Sequence, residues 1–199
     1  MTDFDPAPLE ITLFRGWSDK DCYVWSPFVT KLELRLRLSN VSYQTAAGSM
    51  RTAPTGKIPY VDVREEEQPT STTSAIGDSA MIAQYLAGRG LIHDLDANLG
   101  ASSKAQDLAI RALVEDRLYF FNTLHGQGTG LYSADEARRF REDIWTNLDG
   151  LLEESWKKAQ ERCGGTDNGS CFWCLGGDGP TECDTSVFGF VCSALIAKR

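Results

Sequence analysis

The chain has 199 residues, with 20 Lys+Arg against 28 Asp+Glu for a net charge of −8, and 42% of it is hydrophobic. Five Trp, nine Phe and six Tyr exclude disorder as the main state, and the acidic balance argues against a nucleic-acid partner, whose phosphates need clustered Lys and Arg. No apolar run approaches the ~18 residues of a membrane span, the acidic residues 1–6 do not read as a secretory leader, and six Cys are too few for a disulfide scaffold, so a cytoplasmic chain is expected.

Residues 10–15 alternate apolar and polar, which predicts a strand. Residues 27–38 are ambiguous. From Leu32 on they alternate as a strand does, yet Ser26-Pro27 is a cap followed by Pro at a first helical position. Phe28, Leu32, Leu36 and Leu38 also fit one broad helical face. Residues 41–45 and 57–63 read as further strands, the latter entered through Pro59. A polar loop, 64–74, leads to the short apolar step Ala75-Ile76. Asp78-Ser79 then open a helix through 81–87, which Gly88 and Gly90 end.

The second half changes character. Residues 91–101 read as a linker, and 103–124 as a central bundle helix, apolar on more than one face. Ser133 with Glu136 forms a capping box for a helix running to about Cys163, with the stripe Phe140, Ile144, Leu148, Leu151, Leu152 and Trp156. Gly164-Gly165 stop it, and a last helix begins near Pro180. The plan is an α/β half followed by an all-α half.

Three spots carry possible chemistry. A helix start at Ser26 offers backbone N–H groups and partial positive charge that stabilise an anion such as a thiolate; the plainer reading is an N-cap serine. The residue before a bent Pro, Ile58 before Pro59, exposes backbone groups that can pair with a peptide ligand. Asp78-Ser79 at another helix start suits an amino-acid head group, the amine on Asp78 and the carboxylate on Ser79, or is again a cap.

Together with Lys57-Ile-Pro-Tyr-Val61, Ile76-Gly-Asp-Ser-Ala-Met-Ile-Ala-Gln-Tyr-Leu86 and the stretch from Gly177 to Phe190, these spots resemble the glutathione transferase superfamily. The Ser-Pro-Phe-x-x-Lys form is most similar to the branch of failed-axon-connection and metaxin-type proteins and related fungal enzymes. The resemblance implies a helix at 27–38, a thioredoxin-like domain over 1–90, a linker over 91–101 and an all-α helical-bundle domain over 102–199. Only 15 residues follow Asp184, so that domain reads as short.

Residue by residue, the resemblance implies that Ser26 touches the glutathione sulfur and that the Ile58 backbone pairs with the cysteinyl part. Pro59 is then the cis-proline, Asp78 and Ser79 hold the γ-glutamyl end, and Lys57 reaches the glycyl carboxylate. Trp17, Phe28, Tyr119 and Phe120 would line a second-substrate pocket, or serve as core. Thr181 and Asp184 would form the family's helix-capping box, a folding element. Val29 stands where some relatives carry a second Cys, and Ser26 is not Cys, so dithiol and thioltransferase chemistry are disfavoured there.

The implied activity is a glutathione-dependent transferase or isomerase acting on a small hydrophobic electrophile or conjugated double bond, in a homodimer. The alternative is a non-catalytic binding or scaffold protein of the same fold; an intact Asp78-Ser79 favours ligand binding.

Cys171-Phe-Trp-Cys174 is a C-x-x-C and, with Cys163 and Cys183, supplies four thiols. Structural thiols are the leading reading, ahead of a redox pair and of zinc; no metal is expected. Cys22, close to Ser26 in sequence, reads as a packed or surface thiol. His93 and His125 read as caps or satisfied polar groups.

Overall fold

The computed structural model describes residues 9–17, 22–65, 74–127, 132–162 and 171–197. Most of the polar loop 64–74, Cys163 and Gly164-Gly165 therefore lie outside the described residues. The chain divides into two compact units, one of residues up to Asp94 with those from Phe188 onward, the other Leu95–Val187.

The first unit contains β1 (Leu9–Phe14), α1 (Pro27–Leu38), β2 (Gln44–Ala46), β3 (Tyr60–Glu65), β4 (Ser74–Gly77) and α2 (Ser79–Gly88). The sheet order is β2-β1-β3-β4, with β1 parallel to β2, and β3 antiparallel to both β1 and β4. This is a thioredoxin-like domain. Strand alternation places Ile11 and Leu13 of β1 opposite Val63 and Val61 of β3 on one face. That face packs on Leu32 and Leu36 of α1 and on Ile82 and Leu86 of α2, each pair one helical turn apart. Each such buried Leu or Ile contributes roughly 1.5–3 kcal/mol. On the other face Phe14 stacks on Tyr60 with ring centroids 4.3 Å apart.

Several boundaries differ from the sequence reading. The alternating residues 32–38 are helical, and Leu38 is exposed instead of sharing the face of Leu32 and Leu36. Lys31, Glu33 and Arg35 between the leucines are buried. The second strand begins at Gln44, not Val41, because α1 ends through Asn40 at φ +53° and the Val41 N–H bonds back to the Leu36 carbonyl. The third begins at Tyr60, after the turn at Pro59.

The second unit is helical: α3 (Ala101–Ala112), a π-helical turn (Leu113–Leu118), α4 (Tyr119–Gln127), α5 (Ala134–Arg162) and the start of α6 (Glu182–Ile196). The predicted rod over 103–124 thus carries a π turn that buries both Val114 and Leu118. The capping box is present: Ser133 N–H donates to Glu136 Oε2 at 2.7 Å, and Glu136 N–H to Ser133 Oγ at 3.2 Å. The stripe of α5 is corrected at its end. Ala137, Ile144, Leu148, Ser155 and Ala159 face inward, and Trp156 is 44% exposed. The one-residue offset brings the Ser155 hydroxyl to the Cys174 carbonyl, 2.8 Å away.

Candidate functional site at the starts of two helices

Ser26 occupies the N-cap position of α1 with extended backbone, and Pro27 fills the first helical position, where a missing N–H costs nothing. The Ser26 carbonyl accepts from Thr30 N–H at 3.3 Å, but its hydroxyl makes no capping hydrogen bond. No acidic residue lies in the first turn. A half-buried hydroxyl is thus presented at a helix start whose field favours an anion.

The surroundings hold this start firmly. Arg15, fully buried, places Nη2 2.6 Å from the Cys22 carbonyl and 3.0 Å from the Glu33 carboxylate, tying the approach to Ser26 onto α1. Burial pushes the Glu33 carboxyl up, against the pull of the Arg15 charge. Thr30 Oγ1 donates to Val24 O, and Ser193 Oγ to Trp25 O. Gly189 of α6 lies so close to the Pro27 carbonyl that a Cβ there would collide with it. Sequence reasoning missed the Arg15–Glu33 pair and Gly189. The only local signals were charges interleaved with leucines over 31–37 and a glycine inside an apolar helix.

At α2, Asp78 is the N-cap at φ +73°, an uncommon conformation for a non-glycine residue. Its Oδ1 accepts from Ala80 N–H at 2.9 Å and Met81 N–H at 3.3 Å. Both bonds fall on one oxygen, and Asp78 is exposed. Ser79 is buried. Gly77 before it leaves no room for a side chain against Thr55. The Ile58–Pro59 bond is cis, as the sequence reading expects; Lys57 is exposed, Ile58 half-buried and Pro59 buried.

The aromatic candidates fare differently. Trp17 is largely exposed. Phe28 packs edge-on against Phe190 at 5.8 Å within the first unit. Tyr119 and Phe120, half-buried, lie in the second unit, where Phe120 contacts the rings of Phe121 and Tyr132. His93 is held through its backbone: its N–H donates to Ser39 Oγ and its carbonyl accepts from Arg35. The His125 side chain lies outside the described residues. Cys22 is a surface thiol.

The Thr181–Asp184 box is formed, with Thr181 N–H and hydroxyl 2.8 and 3.0 Å from Asp184 Oδ2. Cys171 of the C-x-x-C is exposed and Cys174 is buried; both are free thiols. The residues of the described chain that gather closely enough to hold a metal are Cys174, Cys183 and Asp184. No described helix is long and apolar enough to cross a membrane.

Comparison with known proteins agrees with this architecture. A family profile for the glutathione S-transferase N-terminal domain matches residues 27–125. The isoprene-epoxide–glutathione S-transferase of Rhodococcus sp. (strain AD45) is 31% identical over 99 residues, 48% of this chain. The match spans only 38% of the length of that relative. Among solved structures, maleylacetoacetate isomerase from Anaeromyxobacter dehalogenans with bound GSH superimposes with a TM-score of 0.56, 17% identity, and coverage of 97% of this chain and 83% of that one. FzlA from C. crescentus gives a TM-score of 0.59, 13% identity, and coverage of 93% and 78%. At these identities the structural likeness speaks to fold. Sequence profile and relative converge, and the fold agrees with them: residues 27–125 belong to the glutathione S-transferase N-terminal domain family.

Proposed function

We propose that the protein is a glutathione-dependent transferase or isomerase in which Ser26 activates the tripeptide thiol. The observation that carries this reading is the Ser26 hydroxyl, at a helix start and without a capping bond. A free thiol has a pKa of about 8.5, so only a few per cent is thiolate at neutral pH. Lowering it by two units needs ~2.7 kcal/mol of preference for the anion. A hydrogen bond to a charged sulfur supplies ~1.5–3 kcal/mol, and the helix end a further ~0.3–1 kcal/mol. The sum suffices without a cationic side chain.

In this reading the γ-glutamyl amine meets the Asp78 carboxylate, which still has an oxygen outside the two capping bonds to Ala80 and Met81. Ser79 contributes through the helix start, the Ile58 backbone pairs with the cysteinyl part, and the exposed Lys57 meets the glycyl carboxylate. Trp17 presents an exposed apolar face suited to a small hydrophobic co-substrate. The names of the similar proteins, an isoprene-epoxide–glutathione S-transferase and a maleylacetoacetate isomerase with GSH bound in its active site, support this class. Residues 1–90 are taken as the glutathione-binding domain and 102–199 as the all-α domain. The protein is expected to act in the cytoplasm as a homodimer, in the failed-axon-connection, metaxin-like or related fungal branch.

Calorimetric titration of the full chain with reduced glutathione tests the binding step. Asp78→Ala removes a charge-assisted contact of roughly 1.5–3 kcal/mol and should weaken binding about tenfold to hundredfold. Unchanged affinity would remove Asp78 from the site.

A further inference from the structure

The C-x-x-C spacing directs attention to Cys171 and Cys174, but the fold gives Cys174 a different neighbour. Cys174 and Cys183 are both buried, and the ligating atoms of Cys174, Cys183 and Asp184 all lie within 4.8 Å of one another. Cys171 is exposed and outside this group. Two carboxylates hold the two cysteines in place, Asp184 at Cys174 and Asp107 at Cys183. Asp184 Oδ1 accepts from Cys174 N–H at 2.7 Å, and Oδ2 accepts from Thr181 N–H and hydroxyl. The Cys174 carbonyl is fixed by the Ser155 hydroxyl, and Cys183 N–H donates to Asp107 Oδ1 at 2.7 Å. The Cys183 sulfur lies 3.2 Å from Thr181 Oγ1, and the Cys183 thiol donates a hydrogen bond to the Cys174 sulfur. That thiol–thiol hydrogen bond, with burial, pushes the Cys183 thiol up.

We propose that Cys174 and Cys183 form a dithiol site that a low-molecular-weight disulfide, oxidised glutathione, converts into an intramolecular disulfide. Cys174 sits in the irregular segment ahead of α6, and Cys183 in the first turn of that helix, so opening of the segment exposes Cys174 first. Its thiolate attacks one sulfur of the oxidised tripeptide, forming a mixed disulfide and releasing one reduced tripeptide. The Cys183 thiolate then attacks the Cys174 sulfur, and the second tripeptide leaves as a thiolate. The protein pair loses two electrons and two protons, and the oxidised tripeptide gains both to become two thiols. Both sulfurs are buried, so closure is slow beside the reaction of an exposed thiol such as Cys171.

The test is a non-reducing peptide map. The full chain, purified reduced, is incubated with oxidised glutathione at about pH 8, where exchange is favoured. Free thiols are then blocked and the digest is read by mass spectrometry, with metal content measured on the same sample. The expected product is a Cys174–Cys183 linked peptide, lost in Cys183→Ala. Three results would overturn the proposal: a Cys171–Cys174 bridge instead, mixed disulfides on exposed cysteines with the buried pair still reduced, or a stoichiometric thiolate-bound metal protecting the pair.

Discussion

The starts of α1 and α6 are built in opposite ways. At α6 every backbone donor of the entry is engaged. Glu182 N–H donates to Asp96 Oδ1 at 3.2 Å, Cys183 N–H to Asp107 Oδ1 at 2.7 Å, and Asp184 N–H to the Thr181 carbonyl. At α1 the cap hydroxyl has no such partner, proline removes one donor, and no carboxylate stands in the first turn. A helix start lined with carboxylates satisfies itself and repels an anion; one without them keeps its field for a ligand. The α2 start lies between, since Asp78 caps the helix with one oxygen. A folding element at α6 thus contrasts with a proposed binding element at α1, although both carry the residue types that cap helices.

Substitutions that break the α6 start should therefore cost stability. Asp107 is fully buried, accepts from Cys183 N–H and pairs with Arg111 at 2.7 Å. Asp107→Ala leaves both donors without it and should cost about 3 kcal/mol in denaturant unfolding. A loss below ~0.5 kcal/mol, within the range of ordinary surface changes, would contradict the folding role.

Next in size is Gly189→Ala, where the added methyl meets the Pro27 carbonyl and the Lys31 backbone. Overpacking of this kind costs roughly 1–3 kcal/mol. It displaces the entry to α1, so glutathione turnover should fall with stability. Full turnover in a destabilised variant would show that Gly189 does not brace Ser26.

Asp78 sharpens the middle case. Asp78→Ala loses the cap and keeps a side chain at φ +73°, for about 1–2 kcal/mol. Asp78→Gly also loses the carboxylate but relieves the conformation, and should be the more stable of the two by thermal melting. Both should bind glutathione equally weakly; tight binding by either would assign Asp78 to folding alone.

The smallest effect expected is a pH dependence at Glu33. Its folded carboxyl is raised above the ordinary 4.5, chiefly by burial. The contribution is therefore present in full below 4.5 and is lost as pH rises through the folded value. Glu33→Gln removes this slope, so the wild-type protein should gain stability over the variant on acidification from neutral pH. Parallel stability profiles would show that Glu33 does not titrate in the fold.

The sequence carries local signals well and distant ones poorly. Ser26-Pro27, Ser133 with Glu136, and Thr181 with Asp184 are legible because a cap and its partner lie within one turn. The resemblance decides the helix at 27–38, where alternation of leucines with Lys31, Glu33 and Arg35 otherwise imitates a strand. What it leaves hidden depends on residues far apart. Arg15 finds Glu33 across 18 positions, and Cys183 lies beside Cys174 although C-x-x-C spacing points to Cys171. Trp156 appears apolar-stripe in periodicity, yet the inward position falls to Ser155, which bonds the Cys174 carbonyl. Whether the Ser26 hydroxyl caps its helix is also invisible in sequence, since a capping and a non-capping serine are the same letter.

The thiolate absorbance of bound glutathione, titrated against pH in the wild-type protein and in Ser26→Ala, tests the central claim most directly. The account predicts that the variant folds with stability within ~0.5 kcal/mol, binds the tripeptide with little change, and titrates the bound thiol about one to two units higher, as loss of a ~1.5–3 kcal/mol hydrogen bond requires. Coincident titration curves would show that Ser26 only marks a helix start and that another group activates the thiol.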